Sequence, residues 1–312
     1  MTEARPLLRH LRRCNRWTPD FFVPFVVADQ QVGWVRREFI PVCSRHPEVF
    51  GCSDDRVAVL DRWQTVEDRT RAMDPALRRM AEEGHFTKWR DELYAAVTAP
   101  GASPLLYLER AAVARFGILG TGVHLNGYLT QNSRPHMWIG KRALDKPTAP
   151  GKLDQLVAGG QPATLSLMDN LIKECAEEAD IPEHLARRAR PVGAISYQLE
   201  RENGMRRDIL YVYDLEVPAD FTPRNTDGEI DHFLLWSIER IIEELETADS
   251  FKFNCALVVI DFLIRHGHLP PEHPEYLALQ QGLRTHDGRL QSAPIAGRPD
   301  SPISLDPPPA FP

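Results

Sequence analysis

Three carboxylates, Glu174, Glu177 and Glu178, lie within one short stretch of the chain. At i, i+3 and i+4 on a helix their side chains converge within a single turn. Like charges at that spacing cost roughly 0.2–0.5 kcal/mol per pair, and Lys173, facing Glu177 at i+4, offsets part of this. A hard divalent cation would offset far more. Mg²⁺, with Mn²⁺ as a substitute, takes one or two carboxylates and keeps positions open for waters and substrate phosphates. The competing reading is a solvated acidic helix face.

The elements that would position this turn can be read on either side of it. Residues 153–157 alternate like the end of a strand, and Gly159-Gly160 reads as a flexible turn where a backbone can approach a ligand. Ser166 and Asp169 form a capping-box start. Leu167, Leu171, Cys175 and Ala179 then share one helical face, with Leu165, Met168 and Ile172 beside it; the three glutamates are expected on the opposite side. Upstream, residues 117–130 and 136–142 read as paired strands. Lys141 and Arg142 follow closely and are candidates to meet a phosphate. Downstream, residues 194–201 and 208–217 flank Glu202-Asn203-Gly204, a hairpin signal. Ser237 is expected to cap a helix reaching about Leu245. Asn254 is expected to cap another, which stops at Gly267. This order suits an α/β/α sandwich with a mixed sheet.

The remaining features set outer bounds. The chain has 312 residues, enough for one large or two modest domains, with 43% hydrophobic and 26% charged residues and a net charge of −7. That mild acidity supplies no general case for nucleic acid or a membrane surface as partner, so a small polyanion would be held through local charge or a metal. Five cysteines without a Cys-x-x-Cys pair read as reduced thiols in a cytoplasm. No apolar leader is expected at the N-terminus. The longest apolar run, residues 255–264, contains Asp261 and is too short to span a bilayer. Residues 1–115 read as a small α+β domain. Its basic helix over 5–17 carries Arg9, Arg12, Arg13 and Arg16 as an anion contact, a homodimer surface or a solvated face, the last being simplest. A strand at 21–27, a turn at 30–33 and helices over 74–83 and 87–97 follow, with no evident chemistry. Residues 116–290 form the second domain. Residues 291–312 read as a Pro-rich disordered tail.

The stretch from Gly159 to Ile181 resembles the signature of the Nudix hydrolases. Gly159 takes the opening Gly, Lys173-Glu174 the Arg-Glu pair, Cys175 the first aliphatic, Glu177-Glu178 the acidic pair and Ile181 the closing aliphatic. Leu165 stands where the family has Glu, Lys173 where it has Arg, and Asp180 where it has Gly. A Lys cannot reproduce the bidentate fork of an Arg, so the helix brace is weakened while all three carboxylates remain. The resemblance implies a Nudix α/β/α sandwich preceded by the α+β domain, with Glu174, Glu177 and Glu178 holding Mg²⁺. A further acid from the loop after the hairpin is implied as ligand or base; Glu229 is the first candidate and Asp231 the second. Trp138 and Phe253 are candidates to stack a substrate ring. Residues 138–142, 146–154 and 254–267 narrow the resemblance to the Nudix branch related to thiamine pyrophosphokinase. That branch implies hydrolysis of thiamine diphosphate or its damaged oxo and oxy analogues to the monophosphate. Oxidised nucleoside diphosphates, or diphosphate binding without cleavage, are the alternatives.

Overall fold

Strand alternation decides how the C-terminal half is layered. The computed structural model describes residues 6–86, 88–132, 134–146 and 148–284, so the tail expected at 291–312 lies outside the described residues. In β7 (Leu119–Gln131), Val123, Leu125 and Leu129 face one apolar cluster, while Tyr128 on the other side packs against a second. Strand β7 pairs in parallel with β12 (Gly204–Glu216), which pairs antiparallel with β11 (Arg190–Arg201). On its other side β7 meets β8 (Arg134–Arg142) and β10 (Val157–Gly160) at successive stretches. β13 (Ile230–Ser237) and the short β9 (Leu153–Asp154) pair with β8, completing a seven-stranded mixed sheet.

Helix α5 (Leu167–Ala179) buries Leu171, Cys175 and Ala179 against one face of the sheet, followed by α6 (Glu183–Ala186). The opposite face is covered by α7 (Ile238–Thr247) and the nearly all-apolar α8 (Cys255–Arg265), joined by α9 (Tyr276–Gly282). This is the α/β/α sandwich with a mixed sheet that the element order implied.

The N-terminal unit has its own core around a sheet of order β2-β1-β4-β3, formed by β1 (Phe22–Val27), β2 (Gln30–Arg36), β3 (Phe50–Ser53) and β4 (Arg56–Val59). Its helices are α2 (Ile40–Ser44), α3 (Val66–Glu82) and α4 (Val113–Phe116), and β5 (Leu93–Ala96) pairs with β6 (Leu106–Glu109) as a separate ribbon. Helix α1 (Leu8–Cys14) stands apart from this core. Leu7, Leu8 and Cys14 are buried in the α8–α9 cluster, and Glu275 accepts from the Leu7 and Leu8 amides.

Several local expectations are corrected. The helix expected over 87–97 is partly the strand β5, because Tyr94 and Ala96 alternate into the core and find partners in β6. The expected turn at 30–33 sits instead at Ala28-Asp29, both left-handed at φ 48° and 56°, and Gln30 already belongs to β2. Gly159 and Gly160 lie inside β10 rather than in a turn, paired with Val123 and Gly122. Asn254 precedes α8 without capping it by its side chain; its amide lies 3.5 Å from the Tyr197 hydroxyl. The expected caps at Ser166 and Ser237 are present, accepting from the amides of Asp169 at 3.1 Å and Arg240 at 3.4 Å.

Candidate active site

Helix α5 lies over β10, and the absence of side chains at Gly159 and Gly160 lets other groups close onto that strand. A Cβ on Gly159 would stand 2.6 Å from Glu174 Oε1 and closer still to Cδ and Cγ of the same side chain. Asn170, fully buried on α5, donates to the Gly160 carbonyl at 2.9 Å and ties helix to strand. Glu178 is 5% exposed and accepts from the Ala158 amide at 2.8 Å. Its place differs from the expected solvent side. Three residues from Cys175 and seven from Leu171, it falls on the buried face of the helix.

The electrostatics follow from that burial. Desolvation, and then the negative charge of Glu174, push the Glu178 carboxyl well above the usual carboxylate range. Burial also raises Glu174, whose side chain is 15% exposed, against a lowering by Lys173 at 3.5 Å. Glu177 is on the rim, 48% exposed and paired with Lys173 at 2.6 Å. Thus Glu174 and Glu178 converge on β10, while Glu177 is turned to the lysine. Among the described residues, no three His, Cys, Asp or Glu side chains are gathered at metal-binding distance.

The other expected site residues divide. Glu229, just before β13, is half-buried with its carboxylate 3.7 Å from Arg142, and its charge acts on Glu178. Asp231 is exposed and bonded to its neighbour His232. Arg142 is buried and forms an ion pair with Asp154 at 2.9 Å, so it anchors β8 to β9 and steadies Glu229 rather than standing free for a distal phosphate. Lys252 completes that cluster from the segment just before α8, also 2.9 Å from Asp154. The two cations outweigh burial and hold Asp154 well below the carboxylate range. Lys141 alternates to the side of Met137 and Ile139, the α7–α8 face, away from α5. Phe253 is also misplaced for the expected stacking. It is buried in the α8-face core edge-on to Tyr197, with Arg201 and Arg206 over its ring. Trp138 stays on the α5 face, partly buried, and its indole N–H has no partner among the described residues. Asp180 adopts the left-handed conformation at φ 54° that ends α5, with Arg224 bonded to its carboxylate 2.9 Å away.

Two groups that sequence reasoning missed come from the N-terminal unit. A Cβ on Gly160 would collide with the Tyr94 hydroxyl and lie 3.4 Å from Arg110 Cζ and Nη2. Nothing local announces this: Tyr94 lies in a stretch read as helix, and Arg110 follows a ribbon whose docking is a tertiary event.

Residues 6–120 match a family model described as a domain of unknown function, DUF4743. The chain is 42% identical over 291 residues to Nudix hydrolase 20, chloroplastic, of Arabidopsis thaliana, covering 89% of this chain and 77% of that protein. It is 40% identical over 284 residues to Nudix hydrolase 24, chloroplastic, of the same plant, covering 90% and 78%. The chain belongs to the Nudix hydrolase family, and it is an enzyme of phosphoanhydride hydrolysis. Among solved structures, the NUDIX domain of Shewanella oneidensis NrtR complexed with ADP ribose aligns with a TM-score of 0.39 at 10% identity, over 48% of this chain and 90% of that one.

Proposed function

We propose that this chain is a divalent-metal-dependent diphosphatase that converts an organic diphosphate to its monophosphate, with thiamine diphosphate and its oxo and oxy analogues as the leading substrates. The observation that carries the metal requirement is Glu178. It is a buried carboxylate beside the charge of Glu174, and among the described residues no basic side chain lies at ion-pair distance from it. A buried anion without a cation is costly, and a hard divalent ion suits an all-oxygen donor set. Glu174 and Glu178 would hold Mg²⁺ or Mn²⁺, with Glu177 joining on release from Lys173 and Glu229 approaching from the β13 side. When bound, the ion supplies charge neutralisation to the diphosphate oxygens and eases deprotonation of water.

The protein's own part is to orient and to accept a proton. Glu174 takes the proton of the attacking water at a carboxylate oxygen, with Glu229 as the alternative acceptor. The Ala158 amide fixes one oxygen of Glu178, and Asn170 fixes the strand it serves. Trp138, on the same face, is the remaining candidate to meet the organic ring. Five free cysteines, four of them buried, support work in a reducing compartment such as the cytoplasm.

Phosphate release from a panel of thiamine diphosphate, its oxo and oxy analogues and oxidised nucleoside diphosphates, with Mg²⁺, Mn²⁺ or EDTA, tests the reading. Release that needs the metal and is fastest for the thiamine series supports it; release unchanged in EDTA contradicts it. One observation favours a second reading, retention of a diphosphate without cleavage: the engagement of Glu177 by Lys173, which leaves two carboxylates at β10. Tight binding with no release from any member of the panel would select it.

A further inference from the structure

The N-terminal unit reaches the candidate site through the β5–β6 ribbon. The Leu93 carbonyl of β5 accepts from the Ala163 amide at 2.9 Å, in the segment that leads into α5. The same ribbon carries Arg110 directly after β6. Arg110 Nη1 lies 2.9 and 3.2 Å from the two carboxylate oxygens of Glu92, and its backbone amide donates to the Glu92 carbonyl at 2.8 Å. This brace sets the guanidinium so that Cζ and Nη2 lie over Gly160, beside the Tyr94 hydroxyl. The Arg110 side chain is 39% exposed, so a ligand can reach it. Gly159 and Gly160 are consecutive in a strand and present opposite faces. Glu174 therefore flanks one face of β10, and Arg110 and Tyr94 the other. The two charges act on each other, with Arg110 lowering the proton affinity of Glu174.

We propose that Arg110, braced by Glu92 and accompanied by the Tyr94 hydroxyl, is the phosphate-binding group that the N-terminal unit contributes to the active site. A diphosphate lying across β10 meets the carboxylates of α5 at one phosphate and the guanidinium at the other. An arginine fork suits phosphate oxygens, and its charge is placed where the acidic chain otherwise offers little attraction for an anion. The N-terminal unit is on this view a wall of the site. This assignment rests on the diphosphatase reading for its substrate, and its test can be separated from that reading.

Methylenediphosphonate, which cannot be hydrolysed, is titrated into the full-length protein by calorimetry, with Mg²⁺ and in EDTA. Arg110→Ala is expected to weaken binding roughly tenfold or more in both conditions, as the loss of a charge-assisted contact implies. Arg110→Lys, which keeps the charge and loses the fork, is expected to fall between. Arg110→Gln keeps a hydrogen-bonding partner for Glu92 and takes the place of the alanine variant should that fail to fold. Binding within twofold of the wild type in a folded Arg110 variant overturns the proposal, as does a wild type that does not bind the probe. Binding lost with Arg110 in a protein that cleaves no diphosphate refutes the hydrolytic reading alone. Metal-dependent cleavage that is indifferent to Arg110 refutes this assignment alone.

Discussion

Gly159→Ala isolates the contact between β10 and the carboxylate of α5. Gly159 lies in an extended strand without positive φ, so the backbone accepts alanine. The new methyl group would stand 2.3 Å from Glu174 Cδ, whereas ordinary contact begins near 3.4 Å, so the carboxyl must retreat by about 1.1 Å. The obstacle is one side chain, Cγ included, and no backbone, so a change of rotamer at Glu174 relieves it at little cost in stability. A misplacement near 1 Å at a reacting group costs roughly 100-fold in rate, equivalent to about 2.7 kcal/mol in barrier height. Alanine in place of glycine in a strand returns roughly 0.5–1 kcal/mol of chain entropy, so the melting temperature is expected to stay within about 3 °C of the wild type. Gly51→Ala, where the methyl group meets Leu60 at 3.4 Å in the N-terminal unit, is the control. The assay is metal-dependent phosphate release with thermal melting on the same preparations. A Gly159→Ala enzyme with wild-type kcat/KM would show that Glu174 need not occupy the position seen here, and the role given to it would fall.

Three further outcomes are expected. Glu178→Gln should lower phosphate release by roughly 100-fold or more while the metal-free protein melts no lower than the wild type, because a carboxyl whose charged form burial and Glu174 already disfavour is replaced by a neutral amide of the same shape; undiminished release would contradict its role as a metal ligand. Asp214 is buried and accepts from His266, Arg265 and Asn126, which outweigh burial and hold its carboxyl at about 2 against an ordinary 3.8. Its folded pKa is depressed, so its contribution is complete above the unfolded value and is lost as pH falls through about 2. Asp214→Asn should therefore lose roughly 2 kcal/mol at neutral pH, at 1.36 kcal/mol per unit, and flatten the acid limb between about pH 4 and 2; superimposable unfolding profiles would refute this. Cys52 is the thiol that is not fully buried, whereas burial pushes Cys14 up to about 12, so a thiol reagent should label Cys52 first in the native protein. Rapid labelling of Cys175 or Cys255 would mean that the α5 or α8 interface opens.

Local rules reached a good part of this structure. Ser166 with Asp169 started α5 because a hydroxyl cap is satisfied within one turn. The hairpin at Glu202-Asn203 formed where Arg201 pairs with Gly204. Expectations failed where tertiary partners outweighed local preference. Residues 93–96 became a strand because β6 was there to pair with them, although their composition also suits a helix. Arg142 was expected at a phosphate and is held by Asp154 and Glu229, charges that sequence spacing does not bring together. Glu178 was legible in principle: its distance of seven from Leu171 already placed it on the buried face, and its charge obscured that periodicity.

What the sequence alone determined was the helix with its cap, the crowding of three acids into one turn, and the two glycines in front of it. Those depend on contacts between residues close along the chain. How closely Glu174 and Glu178 approach β10, the ion pair that takes Arg142, and the arrival of Arg110 and Tyr94 over Gly160 were decided only by the fold. The pairing of β10 with β7 and the docking of the β5–β6 ribbon join segments dozens of residues apart. Burial and charge at those meeting points are properties of the assembled layers, to which no single segment holds the key.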